Sequence, residues 1–382
     1  MSEKQSRRTF LAQMGSIALG VTLMPLAACE FNKVTPLVRG AEVPFLTPVK
    51  DFFSQNGADG NVKDWKQPNL KADEWELSIE GDAALVKNPL KIKLSDLEKE
   101  KDKEISILKT IRCVFDFNEI PGLISTGVWT GIPLKLFLDR AQIDTSKAKR
   151  IRLFGYDGFR NNIKISDLYK QFDADHFEPL LVTKLNGESL PAKHGFPVRL
   201  IMHESYGYKN VKWLQKLEVT ADDTPFGIYQ DNGFVDDGVI RIVSKATAPT
   251  QNVEIDEPGE VKILGFAVSG FAGVEKVEIS IDKGPFKEAR LAPLDRYLNG
   301  DDAELLKTTE QFKDTKTHSY PFRGVWVQWE LDWQATPGDH EIRIKATDGK
   351  GNTQEEKDSN LQDGNNSIPT IKVKVKDPKA AS

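Results

Sequence analysis

At 382 residues the chain is too long for one ordinary domain and suits two, each able to bury its own core. The apolar fraction of 39% is that of a soluble protein, and the formal net charge is -5. Removing residues 1–28 takes away Lys4, Arg7, Arg8 and Glu3 and moves the balance to -7, which argues against a binder of nucleic acid or of anionic membrane surfaces.

The N-terminus reads as a processing segment. Ser6-Arg7-Arg8-Thr9-Phe10-Leu11 is a twin-arginine signature, and the apolar stretch from Ile17 to Met24 that follows is too short to span a bilayer. Leu26-Ala27-Ala28-Cys29 resembles the bacterial lipobox, in which Cys29 is lipidated and becomes the first residue. The alternative is an ordinary Ala-x-Ala-like cleavage with Cys29 beside it by chance. The expected address is the periplasm, with the membrane reached by a lipid anchor only. Twin-arginine export carries proteins already folded, which suits a cofactor inserted before export. With Cys29 lipidated, Cys113 has no intramolecular partner in an oxidising compartment. Such a thiol is either buried and inert or occupied.

Residues 29–50, with Pro36, Pro44 and Pro48 and no apolar period, read as a tether into a first domain over 51–239. Trp75, Leu77 and Ile79 alternate with polar residues before Gly81, which predicts a half-buried strand. Ser95 is a candidate N-cap for a short helix, and the charged run from Glu98 to Glu104 reads as a solvated face and loop. Ile105 to Ile111 predicts a strand, with Cys113 just past its end. Pro133 suits a first helical turn, and Leu134, Phe137, Leu138 and Ala141 then follow at helical spacing. Ile151–Phe154, Leu180–Leu185 and Val198–Met202 predict strands, the second turned by Asn186-Gly187. Lys212-Trp213-Leu214 opens a last strand. The first domain is therefore mixed α+β.

From about Ile240 the pattern changes to strands alone. Val277, Ile279 and Ile281 alternate with polar residues, as do Val325 to Trp333 and Ile342 to Ala346, and Pro337-Gly338 and Asp348-Gly349 supply turns. Residues 240–378 read as an all-β sandwich of immunoglobulin type without its disulfide. The polar stretch from Leu298 to Tyr320 interrupts it as an insertion.

Several ordered pieces of the chain together resemble the molybdopterin-binding domain of the sulfite oxidase family. They are Cys113, Asn118, Gly122-Leu123-Ile124, Trp129-Thr130-Gly131-Ile132-Pro133-Leu134, Asp157-Gly158, His194-Gly195-Phe196-Pro197-Val198-Arg199-Leu200-Ile201 and Gly207 to Leu214. Each piece is weak alone, and the ordered set is specific and covers nearly all of the mature chain. The resemblance implies an α+β sulfite-oxidase-type domain followed by an immunoglobulin-like dimerisation module, hence a homodimer.

It further implies that Cys113 is the catalytic thiolate and ligates molybdenum, with the pterin dithiolene and oxo groups completing the coordination. A thiolate is a soft ligand that metal binding keeps deprotonated, which suits this role. His194, Arg199 and Lys212 match the family's cofactor-binding positions, Arg199 with a planar fork for phosphate. The alternative for Arg199 and Lys212 is ordinary surface charge, and their apolar flanks weigh against it. Asp157 matches a position facing the pterin as acceptor. His203 has no role that carries over. The implied reaction is exchange of one oxygen atom with a small substrate, the electrons passing to or from an external carrier such as a c-type cytochrome, because the chain has no Cys-x-x-Cys-His motif of its own.

The departures bear on substrate. Where the family carries an Arg-Asn-His triplet, Phe52-Phe53-Ser54-Gln55-Asn56-Gly57 keeps only Asn56, which stays among the cofactor-binding positions. Asn118 stands where the family places an arginine five residues past the ligand cysteine. The Arg and Tyr of its substrate motif are absent from Val268 to Gly273. Charged hydrogen bonds are worth on the order of 1.5 to 3 kcal/mol each, so sulfite is a poor default. Readings from other classes are a lipid-anchored binding or structural protein that keeps the fold, and a thiol peroxidase built on Cys113, which lacks a resolving cysteine.

Overall fold

A computed structural model describes residues 43–55, 66–116, 122–169, 176–360 and 362–377. The twin-arginine segment, Cys29, Asn56 and Asn118 lie outside the described residues. The chain divides into two compact units, one over Phe53–Ile107 and Val128–Gly238, the other over the segment ending at Phe52, Leu108–Gly127 and Val239–Ser382. Cys113 therefore belongs to the second unit, and His194, Arg199 and Lys212 to the first.

The first ten strands are β1 (Glu76–Gly81), β2 (Leu90–Lys93), β3 (Ile105–Arg112), β4 (Ile124–Pro133), β5 (Arg150–Gly155), β6 (Arg160–Lys164), β7 (Leu180–Leu185), β8 (Glu188–Ser189), β9 (Arg199–Ile201) and β10 (Leu214–Thr220). One sheet of the first unit has the order β2-β1-β10-β5-β6, with β1 parallel to β10 and the other pairs antiparallel. Leu77, Ile79, Leu217 and Val219 fall on one face, as their spacing requires, and pack with Phe137 and Leu138 of the helix Leu134–Arg140. Trp75 is buried ahead of β1, and its Nε1 donates to the Leu214 carbonyl at 2.9 Å. A second sheet runs β3-β4-β7-β8, with β9 on β7. Asn186 and Gly187 turn β7 into β8 with φ of 49° and 80°, the left-handed pair that a two-residue hairpin needs.

Two local expectations change. The short helix starts at Leu94 with Lys93 as N-cap, not Ser95, because Asp96 Oδ2 accepts the Lys93 N–H at 2.9 Å. Strand β4, ten residues long, has no counterpart in the sequence reading. All but its last residue are buried, so it lacks the alternation by which a half-exposed strand is seen.

The second unit continues with β11 (Val243–Ala248), β12 (Val253–Ile255), β13 (Gly259–Val268), β14 (Val274–Ile281), β15 (Lys287–Glu288), β16 (Arg290–Leu291), β17 (Val327–Ala335), β18 (Gly338–Asp348) and β19 (Thr370–Val375). They form two sheets, β11-β13-β17-β16 and β12-β19-β18-β14-β15. Ile263, Val277, Ile279, Val327, Ile342 and Ile344 are buried together in the core of this unit, the arrangement of a sandwich. The fold class is the expected one, an α+β molybdopterin-type domain followed by an all-β immunoglobulin-like domain.

The stretch read as an insertion is ordered into the short helices Ala303–Leu306 and Glu310–Lys313. Gln311 pins the second one, its Oε1 accepting the Leu108 N–H at 3.0 Å and its Nε2 donating to the Leu108 carbonyl at 2.9 Å. Residues 43–52 are packed as well. Val43, Phe45, Leu46 and Phe52 are buried, Phe45 stacks on Tyr297 at 3.8 Å, and Trp326 Nε1 donates to the Phe45 carbonyl.

Candidate cofactor site

The first unit gathers its predicted cations around one turn. Pro191 leads into a single 3-10 turn over Ala192–His194, which Gly195 ends with φ of 106°. A Cβ on Gly195 would stand 3.0 Å from Arg199 Cβ and 3.1 Å from Lys212 Cβ, so only glycine lets this turn close onto both neighbours. β9 places Arg199 opposite Val182 of β7. Lys212 precedes β10 and Trp213, whose φ of 47° bends the chain there and whose Nε1 donates to the Ala192 carbonyl at 3.1 Å.

Arg199 is 3% exposed. Its Nη1 donates to the His194 carbonyl and its Nη2 to the Asn210 carbonyl, each at 3.0 Å, while the guanidinium lies 5.0 Å from the Trp129 ring centre. Its Nε is buried with no hydrogen-bond partner among the described residues. Burial alone pushes the Arg199 guanidinium down to about 9. No carboxylate among the described residues pairs with it, so a buried cation is held on neutral carbonyls.

Lys212 is half-buried. Its ammonium donates to the Lys193 carbonyl at 3.0 Å, Ser54 Oγ at 3.1 Å and the Gln55 carbonyl at 3.5 Å. Burial, then the charge of Arg199, pull it well below the ordinary lysine range, and Asp157 opposes them. Burial, with Lys212, Arg199 and Lys193 adding to it, pushes His194 down to about 2, so its imidazole is neutral at physiological pH. Asp157 Oδ1 accepts the Phe159 N–H at 3.1 Å, a turn-forming bond, while its charge acts on Lys212.

This donor set fits an anionic, polar ligand such as the phosphate-bearing pterin. A buried guanidinium with an orphaned N–H and a half-buried ammonium converge on one glycine turn, and an anion would offset the desolvation that now disfavours their charge.

In the second unit Cys113 follows β3 and is 6% exposed. Its N–H donates to the Leu123 carbonyl at 2.8 Å, its carbonyl accepts the Asp116 N–H at 3.1 Å, and the Phe115 N–H points at its Sγ at 3.4 Å. Burial pushes the thiol up to about 12, with the Phe115 N–H opposing. Left alone it stays protonated, and a bound metal ion would have to displace that proton.

Three further buried polar groups have no counterpart in the sequence reading. Lys209 Nζ donates to the Asn162 and Asp236 carbonyls at 2.7 and 2.8 Å. His176 Nδ1 meets Glu204 Oε2 at 2.6 Å, beside His203, whose ring stands edge-on to Phe177. Arg112, Asp116 and Lys245 form a buried cluster after β3. In the last two, partners 28 and 129 residues apart carry no local spacing signal. Lys209 lies inside a quoted motif, where burial was the missing fact.

Comparison with known proteins supplies the family. The oxidoreductase molybdopterin binding domain matches residues 64–226, and the Mo-co oxidoreductase dimerisation domain matches residues 238–376. The chain belongs to the sulfite oxidase family of molybdopterin oxidoreductases. Its cofactor is the molybdenum cofactor, in agreement with the cationic turn. The chain is 26% identical over 377 residues to an NADH nitrate reductase of Solanum lycopersicum, covering 86% of this chain and 38% of that protein. It thus spans about two fifths of the length of that nitrate reductase. It is 24% identical to a sulfite oxidase of Arabidopsis thaliana, covering 82% of this chain and 83% of that one. Among solved structures the sulfane dehydrogenase SoxCD from Paracoccus pantotrophus shares the fold, with a TM-score of 0.68, 20% identity and coverage of 87% of this chain and 82% of that one.

Proposed function

We propose that this member of the family is an exported, periplasmic oxidoreductase that moves one oxygen atom between its molybdenum centre and a small substrate, exchanging electrons with a separate carrier. When bound, the cofactor supplies two-electron oxygen-atom transfer. The chain's own residues bind and orient it. Arg199, through its fork and its buried Nε, and Lys212 hold the anionic end of the pterin, and neutral His194 offers a hydrogen bond without a charge of its own. Asn56 and Asp157 are the remaining cofactor contacts carried by the family motif. Cys113 would hold the metal as a thiolate, its proton lost on binding. The observation that carries this reading is the Gly195 turn, where Arg199 is buried on carbonyls with one N–H unused.

The external carrier is a c-type cytochrome or a membrane partner, and lipidation at Cys29 keeps the enzyme near the membrane where such partners meet it. The Mo-co oxidoreductase dimerisation domain supports a homodimer. The substrate is a small oxygen donor or acceptor, and sulfite is a poor default because the family's oxyanion-holding arginines are not kept at Gln55 and Asn118. Metal analysis of the exported protein tests the reading, with about one molybdenum per chain expected from a single cofactor site. A substrate screen over sulfur oxyanions, nitrate and sulfoxides then tests the class. Full turnover by metal-free protein would overturn the proposal, as would a molybdenum centre inert to every substrate.

A further inference from the structure

The loop that carries Cys113 is tied by a carboxylate three residues further on. Asp116 is 1% exposed and is held at both its side chain and its backbone. Its Oδ2 meets Lys245 Nζ at 2.7 Å and Arg112 Nε at 3.3 Å, and its Oδ1 accepts the Leu123 N–H at 3.1 Å. Its carbonyl accepts from Arg112 Nη2 at 3.1 Å and from Lys245 Nζ at 3.3 Å. Its own N–H closes the turn onto the Cys113 carbonyl, and the Cys113 N–H in turn bonds the Leu123 carbonyl. Asp116 therefore joins both strands of the loop to which the thiol belongs. Arg112 extends the tie to the Asn365 carbonyl at 2.8 Å, and Lys245 brings it to β11.

We propose that Asp116 is the positioning residue for Cys113, with Lys245 and Arg112 as its anchors. The proposal rests on the reading of Cys113 as the molybdenum ligand. A thiolate ligand needs a fixed direction, and here the N–H groups of Phe115 and Asp116 both bond to Cys113 while the Asp116 carboxylate holds Leu123, the residue whose carbonyl accepts the Cys113 N–H. Two cations converging on one buried carboxylate make the tie stiff, because loss of the carboxylate leaves two buried like charges side by side. The consequence is specific: removing the carboxylate loosens the thiol's own loop before it loosens the sandwich.

The test is site-resolved alkylation of Cys113 by iodoacetamide in metal-free full-length protein, read by mass spectrometry beside the thermal midpoint and the molybdenum content after loading. Asp116→Asn keeps the shape and the Leu123 bond but drops the charge, and should speed alkylation of Cys113 by about tenfold or more through local opening. Lys245→Met should act in the same direction and less strongly, and Lys245→Arg should restore the slow rate. The double variant Asp116→Asn with Lys245→Met should be no faster than Asp116→Asn alone, because both changes break the same tie. Should Asp116→Asn not fold, Lys245→Met against Lys245→Arg carries the same comparison.

An Asp116→Asn protein with the parent alkylation rate and a lowered thermal midpoint would reduce Asp116 to a merely structural ion pair. If Cys113→Ser leaves the thiolate-to-molybdenum absorption of the loaded protein unchanged, the ligand assignment falls, and the positioning role falls with it. If that absorption depends on Cys113 while alkylation is insensitive to Asp116 and Lys245, the positioning role alone is lost.

Discussion

Buried cations occur in both units of this protein, and they are handled in opposite ways. Around Cys113, Arg112 and Lys245 share the carboxylate of Asp116. At the Gly195 turn, Arg199 is as deeply buried but is held by two carbonyls and the Trp129 ring, with no carboxylate pairing it among the described residues. A cation that meets a carboxylate is spent on holding its own loop. A cation that burial drives toward neutrality, with an N–H left over, is prepared for an anion brought from outside. One region is built to be stiff and the other to be completed.

The largest expected effect breaks the first region at its centre. Cys113→Ser removes the thiolate, and turnover should fall to background while the molybdenum, still carried on the pterin, stays at about one per chain and loses its cysteine-thiolate absorption. Full turnover by this variant would show that the stiff loop serves something else.

Next comes the region prepared for an anion. Arg199→Met should weaken retention of the pterin by about 10- to 150-fold, the loss of a charged hydrogen bond worth on the order of 1.5 to 3 kcal/mol. Pterin fluorescence after gel filtration measures it. Arg199→Lys should recover only part of that, since a point charge cannot make the fork's paired contacts. Equal retention in all three proteins would mean that the cations at the Gly195 turn do not hold the cofactor.

A smaller effect separates geometry from charge at the same turn. Gly195→Ala leaves every cation in place but must hold an alanine at φ of 106°, with its Cβ 3.0 Å from Arg199 Cβ. A loss of about 1 to 3 kcal/mol in unfolding free energy is expected from the backbone strain, and denaturant titration of the metal-free protein would read it. Unchanged stability would mean that the turn is not closed as described.

The smallest effect sharpens the comparison with a third buried cation. Burial pushes Lys209 down to about 8, with Asp236 opposing. Its charge is thus a penalty in the folded state below about pH 8, and the penalty is relieved as pH rises from there toward the ordinary lysine value near 10.5. In that window the unfolded chain binds more protons than the folded one, so this residue's contribution to stability rises with pH. The stability difference between the parent and Lys209→Met should therefore shift in the parent's favour over that range. A difference independent of pH would place Lys209 among cations whose charge costs nothing.

Much of this protein follows from local sequence. Alternation located β1, β14, β17 and β18 because each shows one face to the core, and the Asn186-Gly187 pair located its hairpin because few residues accept positive φ. The ordered motifs also pointed to the family and to its cofactor. β4 escaped because it is buried on both faces and has no period to detect. Which buried charges are paired was decided by the tertiary structure alone. Asp116 and Lys245 are 129 residues apart, and an ion pair at that separation leaves no mark in spacing. Arg199 stands out in the sequence through its motif and apolar flanks, but its burial and the reach of its three nitrogens come from the fold. The sequence determined which donors exist, while folding determined which of them keep a bond to spare.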